Sequence, residues 1–258
     1  MTDVYQAIVD LIETGQSGAL ATVVAKEGSG PQVPGAKMLF RADGSIVGTV
    51  GGGAPEKRAC QVAPDVIRTG KPQLITVNLY GKAESDQQPC GGRLTVFVEP
   101  ITSPSSLLIF GAGHVGAALA KLAPGLGFRV TVIDERPAYA KLDRLEGASQ
   151  VVVGIGPEVA DQLGVNERTF MVIVTHGHAN DERVLRFAVE SPACYVGMMA
   201  SRRKSGGILD RLAADGVARE KLDRVHTPIG LDIGAITPAE IAVSIAAEMI
   251  RHRHHPPD

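Results

Sequence analysis

The residues with most to offer chemically fall in a few short runs. GAGHVG sets Gly111, Gly113 and Gly116 at G-x-G-x-x-G spacing directly behind the apolar run Leu107–Phe110, and His114 sits inside that loop. The first glycine of such a loop permits a tight turn, the second lets a phosphate approach the backbone, and the third lets helix and strand pack closely. Asp134 closes the next apolar run, RVTVID, where a carboxylate can accept from a ribose hydroxyl. Arg136, two residues on, can instead meet a phosphate, so the choice among NAD, NADP and another phosphorylated ligand stays open.

Further polar runs follow later apolar ones. THGHANDE brings His176, His178 and Asp181 to the end of MVIVT, and SRRK puts Ser201 and Arg202 at the expected start of a helix, a place suited to an anion. His176 and His178 form an H-x-H pair near a carboxylate, a zinc-like arrangement. The match to a dinuclear hydrolase loop is incomplete, because Asn180 and Asp181 stand where Asp and His are wanted, and no metal is assigned. HTPIGLDIG carries His226 and Asp232 in a glycine-punctuated loop that reads as a site wall. Earlier in the chain, GTVGGG supplies Gly51, Gly52 and Gly53, and CGG supplies Cys90. A turn position leaves a thiol accessible, and the thiolate is its reactive form. Cys60 and Cys194 fall in a helix-like and a strand-like run and are expected in the core.

These runs need elements to hold them. GALATVVAK, KMLFR, PQLITVNL and RLTVFVEP read as strands, with helices near Asp3–Thr14 and after Pro55, which makes residues 1–102 a small α+β domain. EPITSPSS at 99–106 has the composition of a connection. From 107 to 258, apolar runs alternate with amphipathic helices, the pattern of a Rossmann-like parallel sheet covered on both faces. TPAE opens the last helix with a cap at Thr237 and a capping-box glutamate at Glu240. RHRHHPP beyond it reads as a frayed tail, an appended tag or a charged helix end.

The bulk numbers exclude some functions. At 258 residues and a formal charge of -2, the chain offers no electrostatic reason to bind nucleic acid or a membrane surface. No apolar run is long enough to span a membrane, no export signal is visible at MTDVYQAIVD, and three unpaired cysteines suit a reducing compartment. A cytoplasmic location is the expectation.

Taken together, GSGPQVPGAKMLF, GTVGGGAPE, QPCGGRLTVFVEP, LLIFGAGHVGAALA, VIDERP, THGHANDERVL, YVGMMASRRK and TPIGLDIGAITPAEIA resemble the XdhC/CoxI family, the accessory factors of xanthine dehydrogenase and related molybdenum hydroxylases. The resemblance spans nearly the whole chain and departs from the family pattern at Ala54-Pro55, where a bulkier residue is usual before the glutamate. It implies a chaperone, not a turnover enzyme. Such a protein binds the molybdenum cofactor (molybdopterin), protects it while its terminal sulfur is installed, and inserts it into an apo molybdenum hydroxylase. A cysteine desulfurase is an implied partner, and self-association is left open. Molybdopterin is a phosphorylated dithiolene, so the resemblance places Gly51, Gly52, Gly53 and Cys90 beside the later loops as cofactor-binding residues. The alternative from another class is an NAD(P)-dependent oxidoreductase, with NAD(P) or another nucleotide at the glycine loop.

Overall fold

The computed structural model describes residues 4–79 and 92–255, the side chains of His178 and Ala179 excepted. By its internal contacts the chain divides into two compact units, 1–104 and 105–258.

The first unit contains α1 (Val4–Glu13), β1 (Ser17–Glu27), β2 (Lys37–Arg41), β3 (Ile46–Gly48), α2 (Gly53–Thr69), β4 (Gln73–Asn78) and β5 (Arg93–Thr102). Among the described residues its five strands form an antiparallel sheet in the order β3-β2-β1-β5-β4. Alternation along the strands sorts side chains between two faces. Ala19, Ala21, Val23, Met38 and Val96 pack with Ala59, Val62 and Val66 of α2. Leu39 turns the other way, onto Ala7 and Leu11 of α1. Gly70 ends α2 in the left-handed region, and its N–H donates to Val66 O at 3.0 Å. The three-residue β3 has no counterpart among the strands expected from sequence.

The second unit contains β6 (Ser105–Phe110), α3 (His114–Leu122), β7 (Phe128–Asp134), β8 (Gln150–Val153), α4 (Ala160–Leu163), β9 (Thr169–Ile173), α5 (His178–Glu190), β10 (Tyr195–Met198), α6 (Arg202–Ala214), α7 (Arg219–Asp223), β11 (Val225–His226) and α8 (Pro238–His254). All six strands are parallel, in the order β11-β10-β9-β6-β7-β8. Numbered within the unit this is 3-2-1-4-5-6, the doubly wound order, with its switch point between β6 and β9. The sheet has two cores. Leu108, Phe110, Met171 and Ile173 face Val184, Leu185, Ile208 and Leu212 of α5 and α6. Leu107, Ile109, Phe170 and Val172 face Leu119 of α3 and Ile245 and Met249 of α8. The Rossmann-like expectation therefore holds.

Several local expectations need correction. EPITSPSS is not an open linker: β5 runs through Thr102 and β6 starts at Ser105. Between them Ser103 is buried and its hydroxyl donates to Gln16 O at 2.7 Å, with the carbonyls of Ile12 and Leu11 further off at 3.2 and 3.3 Å. Of the three readings of RHRHHPP, the charged helix end holds over the described residues: α8 extends to His254, Arg253 donates to Leu126 O at 2.9 Å, and the His252 ring meets Phe170 and Tyr195 edge-on. Cys194 lies one residue ahead of β10 and is exposed, not a core strand residue. Its sulfur is nonetheless sheltered: the thiol donates to Thr169 O at 3.4 Å, and desolvation pushes it up to about 11. Cys60 is half-buried against the α2 face of the first core.

No helix among the described residues is long and apolar enough to cross a membrane.

Candidate functional site

The glycine loop sits at the switch point, where parallel α/β sheets hold their ligands. Its three glycines are not equivalent. Gly111 has φ +119, and a Cβ there would strike the Val174 carbonyl at the end of β9. A Cβ on Gly116 would strike the Gly111 carbonyl across the loop. Gly113 differs from both: its φ of -74 suits any residue, and a Cβ there would meet nothing within 4 Å. Two glycines therefore close the turn, and the middle one keeps space open in front of it. Gly113 also caps α3 without any side-chain hydrogen bond to the helix end, so the first amides of the helix look toward that space.

A cleft of about 550 Å³ opens there. Gly113, His114 and Val115 line it from the loop, Thr175, His176 and Met199 from the ends of β9 and β10, and Pro238 from the start of α8. The opposite wall is Arg136, Tyr139, Arg144 and Leu145, from the irregular stretch between β7 and β8. The volume suits a drug-sized ligand.

Asp134 anchors both walls. Its Oδ2 accepts from Ala112 N and from Arg136 Nη2, each at 2.8 Å, and its Oδ1 accepts from Arg136 N and Nε, each at 2.9 Å. The residue is only 6% exposed. Burial pushes the carboxyl upward, but the Arg136 guanidinium and the two backbone amides outweigh it and hold the group below the ordinary carboxylate range. Arg136 stacks on Tyr139 at 3.9 Å from the ring centre, and Arg144 lies 5.1 Å from the same ring.

The β9 side is built around a second buried carboxylate. Asp181, 1% exposed, accepts from the Thr175 hydroxyl and from Lys204 Nζ at 2.5 Å, which ties the β9–α5 turn to α6. Asn180 donates to Glu135 at 2.6 Å and links the same turn to the end of β7. Ser201 caps α6 by accepting from Lys204 N at 3.3 Å. The loop after β11 is pinned to α8: Glu248 accepts from His226 Nδ1 at 2.7 Å and from Gly230 N, and Ser244 donates to Leu231 O at 2.6 Å. The Thr237 capping box then forms with both of its hydrogen bonds.

Of the residues singled out in the sequence, Gly111, Gly113, His114, Asp134 and His176 come together around the cleft or the narrow crevice behind it. Gly116 underlies the loop. Ser201, Arg202 and Asp232 are exposed and do not line the cleft. The His178 side chain and Cys90 lie outside the described residues. In the first unit, Gly51, Gly52 and Gly53 all have positive φ, at 120°, 68° and 55°. Glu56, the residue behind Ala54-Pro55, accepts from Gly52 N at 3.0 Å and from the Thr49 hydroxyl, so this turn closes in spite of the altered pair. Tyr139 and Arg144 escape a sequence reading because they lie in a turn and in a three-residue 3-10 helix (Leu142–Arg144), too short to show a period. Their only signal is position, within ten residues of a strand that ends in an acidic residue.

Fold and cleft define a two-unit protein whose second unit is of Rossmann type. The chain belongs to the XdhC and CoxI family: the XdhC Rossmann domain matches residues 107–249, and the XdhC and CoxI family model matches residues 11–78. Among its relatives, YqeB of Escherichia coli (strain K12) is 33% identical over 99% of this chain and 47% of its own length, so the chain spans about half of that protein. The molybdenum cofactor insertion chaperone PaoD of the same organism is 25% identical over 99% of this chain and 91% of its own. The crystal structure of a xanthine dehydrogenase from Bacillus halodurans shares the fold, with 22% identity, a TM-score of 0.55, and coverage of 98% of this chain and 96% of that one.

Proposed function

We propose that this chain is an accessory carrier for the molybdenum cofactor, which holds the cofactor by its phosphate at the glycine loop and hands it to an apo hydroxylase of the xanthine dehydrogenase kind. The observation that carries this reading is Gly113: an open, unstrained glycine in front of an uncapped helix end, facing a cleft large enough for a phosphorylated pterin. Family membership supports the same cargo, as does the likeness to a protein named as a cofactor insertion chaperone. Shielding during sulfur installation, with a cysteine desulfurase as sulfur donor, belongs to the proposal, and so does a contribution from Cys90 and the Gly51–Gly53 turn.

The test is anaerobic loading with molybdenum cofactor, followed by gel filtration, metal analysis and transfer to apo xanthine dehydrogenase. Wild type should retain molybdenum and activate the enzyme. Gly113→Val should fold normally and retain at least tenfold less, because its methyls fill the space in front of the amides. A folded Gly113→Val that loads and transfers like wild type removes the glycine loop from the proposal. Hydride exchange between a bound nicotinamide and any substrate would favour an oxidoreductase instead.

A further inference from the structure

We propose that Arg136, Tyr139 and Arg144 form a second anion subsite, which makes the cleft selective for ligands bearing two neighbouring phosphates, and that Asp134 is the positioning residue aligning this subsite with the glycine loop. The inference rests on the reading that the loop itself holds one phosphate.

An acidic residue at the end of the second strand of such a sheet ordinarily accepts from a ribose hydroxyl. A carboxylate offers about four acceptor sites. In Asp134 all four are filled, by Ala112 N and three N–H groups of Arg136. A sugar diol therefore finds no free acceptor there. Oδ2 instead bridges a glycine-loop amide and a guanidinium, so Ala112 N and Arg136 Nη2 stand within two hydrogen-bond lengths of each other.

What faces the ligand on that wall is positive charge. Asp134 engages Arg136 through Nε and one Nη2 bond, which leaves further guanidinium N–H groups on a side chain that lines the cleft. Arg144 donates to Ala138 O at 2.7 Å and has no carboxylate partner among the described residues. The Tyr139 ring, within cation–π reach of both, lets two like charges sit side by side. Paired guanidiniums suit phosphate oxygens.

Two neighbouring phosphates can come from a pyrophosphate bridge, as in a nucleotide-bearing form of a pterin cofactor, or from a sugar phosphorylated twice, as in a 2′-phosphorylated dinucleotide. Calorimetry on the full chain at one ionic strength, with AMP, ADP and adenosine 2′,5′-bisphosphate as probes, separates them. At least one doubly phosphorylated probe should bind about tenfold tighter than AMP, the worth of one added charge-assisted contact. ADP as the tighter of the two indicates the pyrophosphate, and the 2′,5′-bisphosphate indicates the twice-phosphorylated sugar. Arg144→Met, at an exposed position, should fold and lose most of that preference. Asp134→Asn should also lower it, because Arg136 loses the carboxylate that fixes its orientation. Arg219→Met, which removes one charge elsewhere on this unit, should leave it intact.

Equal binding of AMP and both other probes, no binding of any, or a preference that survives Arg144→Met overturns the subsite. Molybdenum loading measured in parallel keeps the two readings apart. Loading without the preference sinks the subsite alone; the preference without loading supports it and sinks the carrier role.

Discussion

At the scale of single residues, the glycine loop divides its labour among three positions that look alike in sequence. Gly116→Ala should destabilise the fold by about 1–3 kcal/mol, because the new methyl meets the Gly111 carbonyl and backbone must move. Urea unfolding of Gly116→Ala beside Gly113→Val checks this, and a larger loss at position 113 would reverse the assignment. The G-x-G-x-x-G spacing alone locates such a loop, and the rule for open α/β sheets locates the ends of the later strands. Occupancy is beyond its reach. Asp134 and Arg136 are both legible as ligand-facing types, yet whether the pair serves a ligand or itself depends on a rotamer and on the amide of Ala112, both set by tertiary structure. His226 shows the same limit: it stands in a promising loop, but its Nδ1 holds Glu248 and its ring stacks on Tyr195 at 4.7 Å.

At the scale of elements, α8 shows how a polar segment earns a place against a sheet. Its apolar residues meet β6, β9 and β10, and its last turn adds His252, whose ring lies 5.4 Å from that of His226. Burial, aided by the His226 charge, pulls the His252 imidazole below the ordinary histidine range. The folded state therefore prefers His252 neutral. Its contribution to stability is complete above the unfolded value near 6.5 and is lost as pH falls toward the lower folded value, with a slope no steeper than ~1.4 kcal/mol per pH unit. Denaturant midpoints between pH 7.5 and 5 should fall for wild type and fall less for His252→Phe, which keeps the edge-on ring contacts. Equal slopes would show that His252 is not the responsible group. This docking was not legible, because RHRHH has the composition of a tail and only the approach of Phe170 and Tyr195 gives it partners. The first five parallel strands and the TPAE cap were legible from short apolar runs and capping chemistry. The three-residue β3 and five-residue α7 were not, since neither is long enough to show a period.

At the scale of the whole molecule, each unit has its own core, and the cleft-lining residues among those described belong to the second. Residues 105–258 expressed alone should therefore unfold in one cooperative transition and bind ADP within about threefold of the full chain. A fragment that stays unfolded, or folds without binding, would show that this unit depends on the first. Two of the three thiols of the chain, Cys60 and Cys194, lie among the described residues. Cys60 and Cys194 are both held above the ordinary thiol range by desolvation, which makes the thiolate scarce at both positions. Near neutral pH an alkylating reagent should mark those two positions slowly, so rapid labelling mapped by peptide mass would report Cys90 against a quiet background. Loss of that rapid signal when cofactor is loaded would be a footprint of the cargo on the native chain, with no substitution required.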